Sequence, residues 1–125
     1  MKQPLVSVII PCKNSSQFVD QCFESIRNQT YRNIEIIIVD NNSTDNTKEI
    51  ARKYTKLVFN KGPERSSQRN FGAKKSKGKY LIFIDSDSFI DKDTAKELVK
   101  YFIDEEVAAV AGHAYVANAN KNALT

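Results

Sequence analysis

Two acidic residues, separated by one position, directly follow the most continuously apolar run of the chain. The run at 80–84 ends in Asp85, Ser86 and Asp87. If the backbone is still extended there, side chains alternate, so Asp85 and Asp87 point the same way and Ser86 points away from them. Two converging carboxylates repel each other unless a cation lies between them, and a divalent ion such as Mg²⁺ or Mn²⁺ that also bridges phosphate oxygens fills this role. Because D-x-D is short and common, the alternative is a pair of solvated acids at the start of a loop.

The elements around this pair predict an α/β fold. Apolar and β-branched runs, which predict buried strands, alternate with segments of helical periodicity. The predicted strands are 6–10, 34–39, 57–59, 80–84 and 107–116, and the predicted helices cover 18–26, a segment ending near 54, 64–76 and 93–106. Because crossovers between parallel strands are right-handed, the strands form a Rossmann-like, mostly parallel sheet with helices on both faces, and their carboxyl ends share one edge. We assign this domain to 1–116 and predict a tail at 117–125 with little that could pack.

Polar residues follow three of the predicted strands, and ligands of such sheets bind at the shared edge. Lys13 and Asn14 follow the first strand, residues 40–42 follow the second, and the two acids follow the fourth. This convergence predicts a binding site. The loop at 11–18 contains no glycine, which excludes the glycine-rich turn of a dinucleotide site or a P-loop and favours a metal ion on the acids as the partner of phosphate.

Length and composition are typical of one globular domain. The 125 residues are 41% hydrophobic and 27% charged, with no apolar run of about 18 residues and no signal-peptide pattern. We therefore predict a cytoplasmic setting and no transmembrane segment. Cys12, Cys22 and the one histidine, His113, are predicted to pack rather than to react, because no metal-ligand spacing or activating partner accompanies them.

The net charge of +4 conceals a basic middle third. Residues 52–79 contain ten Lys and Arg against one acid, Glu64. Such a block attracts phosphates or an anionic membrane, or it is the solvated face of a helix whose C-terminus favours cations. We predict no nucleic-acid partner, because the basic residues are not interleaved with aromatic ones.

Three stretches taken together resemble the donor-binding half of family 2 glycosyltransferases, which have the GT-A fold. They read VSVIIPCKN, SIRNQTYRNIEIIIVDNNSTDNT and QRNFGAKKSKGKYLIFIDSDS. The resemblance covers about residues 5–90 in the family's order and spacing, and continues weakly through the helix at 93–106. It implies a nucleotide-diphosphate sugar of the UDP, GDP or dTDP type as donor, Mn²⁺ or Mg²⁺ as cofactor, and a saccharide or lipid-linked acceptor. It also implies a cytoplasmic protein that in full length lies at the membrane surface.

The same resemblance assigns roles to individual positions. Asp40 accepts a hydrogen bond from the base or ribose, Arg69 lies near the donor as the partner of an anionic group, and Asp85 approaches both ribose and metal. Asp87 holds the metal that bridges the diphosphate. The complete implied donor site consists of Pro11, Lys13, Asn14, Asp40, Asn41, Asn42, Arg69, Asp85 and Ser86, with Asp85 and Asp87 on the metal.

Two departures from the family pattern leave questions open. Asn41 stands where many members have a second acid, which leaves base selectivity undecided. The sequence stops at Thr125, before the half in which the family carries its acceptor site and general base, so we expect no catalytic base in this chain and interpret it as the N-terminal part of a longer enzyme.

Two alternatives therefore remain at this stage. The chain could bind a nucleotide without transferring sugar, since the acceptor half is missing. It could also be a haloacid-dehalogenase-like phosphatase with Asp85 as nucleophile, although the acidic strand of that class is the first in the domain and here it is the fourth.

Overall fold

The computed structural model describes residues 3–102 and 115–116 of the chain. Along these residues the elements are β1 Val6–Cys12, α1 Val19–Arg27, β2 Ile34–Asp40, α2 Thr47–Arg52, β3 Val58–Asn60, α3 Arg65–Lys75, β4 Tyr80–Phe83, β5 Ser88–Phe89, α4 Thr94–Phe102 and β6 Tyr115–Val116. The end of the last predicted helix, most of the strand predicted at 107–116, His113 and the tail at 117–125 lie outside the described residues.

The main sheet has the order β3-β2-β1-β4, and every neighbouring pair in it is parallel. β1 pairs with β2 from Val6–Ile34 to Cys12–Asp40 and with β4 from Val6–Tyr80 onward. A second, two-stranded antiparallel sheet joins β5 to β6. The predicted Rossmann-like α/β fold with a mostly parallel sheet is therefore confirmed.

Helices cover both faces of the main sheet, as predicted. One core cluster packs α1, α2 and α4 on alternate strand residues such as Val8, Ile10 and Ile38. The opposite cluster centres on Ile9 and Ile37 under α3. Successive strand residues thus enter opposite layers, which is why the strand sequences are almost continuously apolar.

The first strand is longer than predicted. We expected it to end before Pro11, which has no amide donor, but β1 continues through Pro11 to Cys12. The amide of Ile84 donates to the carbonyl of Ile9 (3.1 Å), so Ile9 directs its hydrogen-bonding groups toward β4 and Pro11, two residues later, does the same. Because the β1–β4 pairing reaches only to Ile9 and Phe83, the missing proline donor costs no ladder bond.

Gly72 allows α3 to lie close to the sheet. A Cβ atom at this position would be 2.5 Å from Cγ2 of Ile9 and 3.3 Å from Cγ2 of Val39. Both neighbours are fully buried, so neither can move away cheaply. The glycine therefore sets the distance between α3 and strands β1 and β2.

Within the described ranges, no helix combines the length and the apolar character that crossing a membrane requires.

We expect Gly72→Ala to destabilise the protein by roughly 1–3 kcal/mol, because overpacking against Ile9 outweighs the helix propensity of about 1 kcal/mol that alanine gains over glycine. Urea denaturation followed by circular dichroism measures the change. Asn70→Ala, at an exposed position of the same helix, is the matched control and should be neutral or stabilising. Equal or higher stability of Gly72→Ala would contradict the close packing.

Candidate functional site

The carboxyl ends of β1, β2 and β4 meet around one cavity, as the parallel topology requires. Its volume is about 320 Å³. The loops after these strands and the start of α3 supply its walls, which are lined by Pro11, Cys12, Lys13, Ser15, Asn41, Pro63, Arg65, Gln68 and Ser86. The predicted convergence of separate loops at one edge of the sheet is thus observed.

Asn14 joins the loops that follow β1 and β2. Its backbone has a positive φ of 47°, a conformation that asparagine tolerates better than most residues. Its side-chain Oδ1 accepts a hydrogen bond from the amide of Thr44 (2.8 Å), and its own amide donates to Oγ of Ser43 (2.8 Å). Asn14 therefore braces the rim, and it is not among the residues that line the cavity.

Asp40 ends β2 but is turned into the protein. It is fully buried, and its carboxylate accepts hydrogen bonds from the amide (2.8 Å) and hydroxyl (2.6 Å) of Ser43. Lys48 Nζ lies 4.0 Å away. The structure therefore does not bring the Asp40 carboxylate to the cavity wall.

Asn41, the next residue, does line the cavity, and contacts on both sides hold it. Its Nδ2 donates to the carbonyl of Pro63 (2.8 Å), and its side chain leaves no room for a Cβ at Gly62. Asn42 turns away with φ of 50° and exchanges hydrogen bonds with Asn60. Of the three residues predicted here, only Asn41 faces the cavity.

The acidic pair is reached through a turn rather than an extended strand. The amide of Ser88 donates to the carbonyl of Asp85 (3.0 Å), and β4 ends at Phe83. The extended geometry that we assumed for residues 85–87 is therefore wrong. The turn instead directs Ser86 toward the cavity, where its hydroxyl donates to Oγ of Ser15 (3.0 Å).

Asp85 forms an ion pair with α3. Its Oδ1 accepts from Nη2 of Arg69 at 3.1 Å and lies 4.0 Å from Nη1 of Arg65. About two fifths of the Asp85 and Arg69 side chains remain exposed, so water screens the pair and its contribution to stability is small. Its effect is positional, because it ties the acidic turn to the helix that carries Gln68.

The turn that carries the two acids lies beside α1, where the carbonyl of Asp85 accepts a hydrogen bond from Sγ of Cys22 (3.6 Å). Burial, together with the negative charges of Asp87 and Asp85, raises the pKa of the Cys22 thiol to about 12. Burial likewise raises the pKa of Cys12. Both thiols are therefore protonated at neutral pH and unreactive, and the prediction that they pack in the core is confirmed.

The carboxylates of the acidic turn suit a metal ion that also binds oxygen atoms of phosphate and water. Residues 3–102 and 115–116 contain no group of three or more His, Cys, Asp or Glu side chains that could hold a metal ion alone. Mg²⁺ and Mn²⁺ are usually bound by one or two carboxylates together with substrate phosphates and water. Asp85 and Asp87 are the carboxylates available for that share; neither lines the cavity, and Asp85 is paired with Arg69.

Gln68 is a site residue that the sequence analysis did not identify. It is 2% exposed, and its Nε2 donates to the carbonyls of Val39 (2.7 Å) and Cys12 (3.0 Å). One amide group therefore holds the ends of β1 and β2 together and fixes both to α3. A signal was available: Gln68 precedes Gly72 by four residues, and residues at this spacing share one helix face.

The family profile described as Glycosyl transferase family 2 matches residues 7–125. An uncharacterized glycosyltransferase of Haemophilus influenzae is 35% identical over 122 residues, which are 90% of this chain and 48% of that protein.

Two solved structures have the same fold. The crystal structure of Staphylococcus aureus TarS 1-349 in complex with UDP aligns with a TM-score of 0.71 and 33% identity, over 81% of this chain and 32% of that one. The mannosyltransferase PcManGT from Pyrobaculum calidifontis, in complex with GDP-Man and Mn²⁺, aligns with a TM-score of 0.76 and 24% identity, over 85% of this chain and 34% of that one. The chain spans less than half of each of these relatives.

We expect Gln68→Met, which keeps the approximate volume but removes the donor, to destabilise the protein by about 1–3 kcal/mol, because the buried carbonyl of Val39 loses its partner. Gln68→Ala should cost more, since it also leaves a cavity. Denaturant titration of both variants separates the two contributions. Wild-type stability of Gln68→Met would show that the hydrogen bonds contribute nothing.

The carboxylate of Asp45 should make the free energy of unfolding depend on pH. Burial alone would raise its pKa, but hydrogen bonds from Thr47 and Ser16 outweigh burial and lower the pKa from 3.8 to about 2. A pKa that is lower in the folded state stabilises the protein above the unfolded value, and this contribution is lost as the pH falls through the folded value. Wild-type protein should therefore exceed Asp45→Asn in unfolding free energy at neutral pH, and the difference should shrink between about pH 4 and pH 2. A difference that stays constant over this range would contradict the assignment.

Proposed function

The chain belongs to glycosyl transferase family 2, and from this premise we propose that it forms the donor-binding part of an enzyme that transfers sugar from a nucleotide-diphosphate sugar to an acceptor. The observation that carries the proposal is the cavity of about 320 Å³ at the carboxyl edge of a GT-A sheet, walled by loops from three strands. The acidic turn that follows β4 contributes Ser86 to this wall.

UDP is the nucleotide that we test first. TarS, which is 33% identical to this chain over the aligned part, was crystallised with UDP. In our proposal Pro11, Lys13, Asn41 and Ser86, which face the cavity, contact the base and ribose. Asp40, Asn14 and Asn42 act indirectly, by holding the two loops in place. GDP and dTDP sugars remain alternatives, because Asn41 offers both a donor and an acceptor group to a base.

A divalent cation, Mn²⁺ or Mg²⁺, completes the proposed site. Asp87 and Asp85 would hold it, and when bound it supplies Lewis-acid stabilisation of the departing diphosphate. Arg69 orients the Asp85 carboxylate through the 3.1 Å contact and adds positive charge beside it. With Arg65 and Lys13 on the cavity wall, the protein itself offers cationic groups to an anionic donor.

The acceptor half of the reaction requires residues beyond those described here. Sugar transfer with inversion needs a base that removes a proton from the acceptor hydroxyl. In residues 3–102 and 115–116, the cavity lining contains no Asp, Glu or His. We therefore assign the general base to another part of the enzyme and propose a saccharide or lipid-linked acceptor.

A second candidate is nucleotide binding without transfer. It is favoured by one observation: the chain spans 48% of the H. influenzae relative and less of the solved structures. Membership of a glycosyltransferase family argues against the haloacid-dehalogenase-like phosphatase hypothesis.

We expect UDP to raise the thermal midpoint of the 125-residue chain in the presence of Mn²⁺ and much less in its absence. A ligand at one hundred times its Kd adds about 2.7 kcal/mol of stability, which for a domain of this size is a shift of roughly 10 °C. Asp87→Asn should remove the Mn²⁺-dependent part of the shift.

Glu97→Gln, an exposed acid on α4, is the matched control and should behave as wild type. A metal-independent shift, or an undiminished one in Asp87→Asn, would refute the assigned metal ligands. Release of free sugar from UDP-GlcNAc by the purified chain would in turn argue against the binding-only candidate.

A further inference from the structure

A second charged surface lies at the opposite end of the strands from the cavity. We define the basic edge as the segments at 28–33, 52–57 and 74–79, which lead into β2, β3 and β4. Because all strands of the main sheet are parallel, the segments that enter them lie at the amino-terminal edge and those that leave them lie at the carboxyl edge. The basic edge and the cavity are therefore separated by the length of the sheet.

The basic edge carries cations without compensating acids. Its three segments contain no Asp or Glu, and their cations are Arg32, Arg52, Lys53, Lys56, Lys74, Lys75, Lys77 and Lys79. All eight are exposed. Among the described residues, none of the eight takes part in an ion pair.

The acids that contact these segments are already engaged. Asp93 accepts a hydrogen bond from the hydroxyl of Thr30 (2.7 Å), and Glu24 accepts one from the hydroxyl of Tyr54 (3.0 Å) and forms an ion pair with Arg27. Glu35, the second residue of β2, accepts hydrogen bonds from the hydroxyl of Ser7 and from the amide of Lys77 (2.7 Å). These contacts tie Glu35 to the backbone rather than to an ammonium group.

The ammonium groups of Lys75 and Lys79 lie over the rings of Phe71 (5.4 Å) and Tyr80 (5.6 Å), and both residues remain exposed. No carboxylate neutralises the positive charge of the edge in the described residues.

Helix dipoles explain only part of this pattern. Arg52, Lys74 and Lys75 lie in the last turns of α2 and α3, where a cation is favourable. Lys56 and Lys79 lie beyond those helix ends, outside the reach of the dipole, which falls off within the last turn. The helix dipoles therefore do not explain why Lys56 and Lys79 are positively charged residues.

The segments of the basic edge are fixed to the sheet. The amide of Lys79 donates to the carbonyl of Leu5 (2.7 Å), and the amide of Val6 donates to the carbonyl of Asn33 (3.0 Å). The hydroxyl of Thr55 donates to the carbonyl of Ile36 (2.8 Å). The cations are therefore presented from an ordered backbone that spans the sheet from β3 to β4.

We propose that the basic edge docks on an anionic lipid surface and leaves the donor cavity facing away from it. The cations extend across four strands, a width of about 15 Å, and onto helix ends in both layers, so a small anion would meet only one or two of them. An extended anionic surface meets all of them at once. Each Lys or Arg near such a membrane adds to the binding.

Nucleic acid, the other extended polyanion, fits the edge less well. Single strands are held by exposed aromatic rings between the cations. The tyrosines of these segments are Tyr31, which is 4% exposed, and Tyr54, whose ring is covered by Arg27 at 4.5 Å. Lipid headgroups require no such rings.

The test is co-sedimentation of the full chain with vesicles of phosphatidylcholine alone or with about 30% phosphatidylglycerol. Wild-type protein should bind the anionic vesicles only, and binding should fall as NaCl is raised from about 0.05 M to about 0.5 M, since salt screens exposed charges. The triple variant Lys56→Gln, Lys77→Gln and Lys79→Gln should weaken binding by roughly fivefold per cation, about a hundredfold in total.

The control variant removes three exposed cations outside the basic edge, Lys61→Gln, Lys96→Gln and Lys100→Gln, and has the same net charge as the triple variant. It should retain nearly all of the vesicle binding. Equal loss in both variants, equal binding to neutral vesicles, or binding to a double-stranded RNA but not to vesicles would overturn the proposal. The UDP shift measured on the same variants is independent of docking, so failure of one proposal is distinguishable from failure of the other.

Discussion

The parallel pairing of β1 with both of its neighbours is the constraint on which the rest of the structure depends. β1 is buried along its whole length and pairs with β2 and β4. Because the three strands run in one direction, the loops that follow them meet at one edge although they are far apart in sequence. The same pairing gathers the segments that precede the strands at the opposite edge. The cavity and the basic edge are thus two consequences of a single topology.

Hydrogen bonds then decide which of the gathered side chains face the cavity. The Asp40 carboxylate is satisfied internally by Ser43, and leaving a buried charge without partners would be costly. Gln68 uses both of its N–H groups on strand carbonyls. Arg69 is engaged by Asp85. The cavity wall therefore combines side chains already held by hydrogen bonds, such as Gln68 and Asn41, with the cations Lys13 and Arg65.

Much of this architecture could be predicted from hydrophobic patterns, because strands buried on both faces have continuous apolar sequences. The order of strands and helices and the shared edge followed from such patterns. The turn at 85–88 did not, since alternation describes only extended backbone and the bond from Ser88 to Asp85 closes the chain instead. The burial of Asp40 was also missed, although Asp followed three residues later by Ser is a recognisable local capping pattern. The end of β1 was predicted wrongly at Pro11, because the effect of a proline depends on which neighbouring strand its nitrogen faces. That orientation is a property of the tertiary structure.

The close approach at Gly72 fixes α3 to the sheet, and the same helix supplies Gln68 to the cavity wall. Gln68 lies one turn before Gly72, and Arg69 directly follows Gln68. All three residues therefore move together with the helix. Lifting the helix by the thickness of a methyl group would draw the amide of Gln68 away from two strands and the guanidinium of Arg69 away from the acidic turn. A change in side-chain volume beneath α3 would therefore shift Gln68 and Arg69 as well. The residues tolerated in that layer are limited by the hydrogen bonds that these two side chains make.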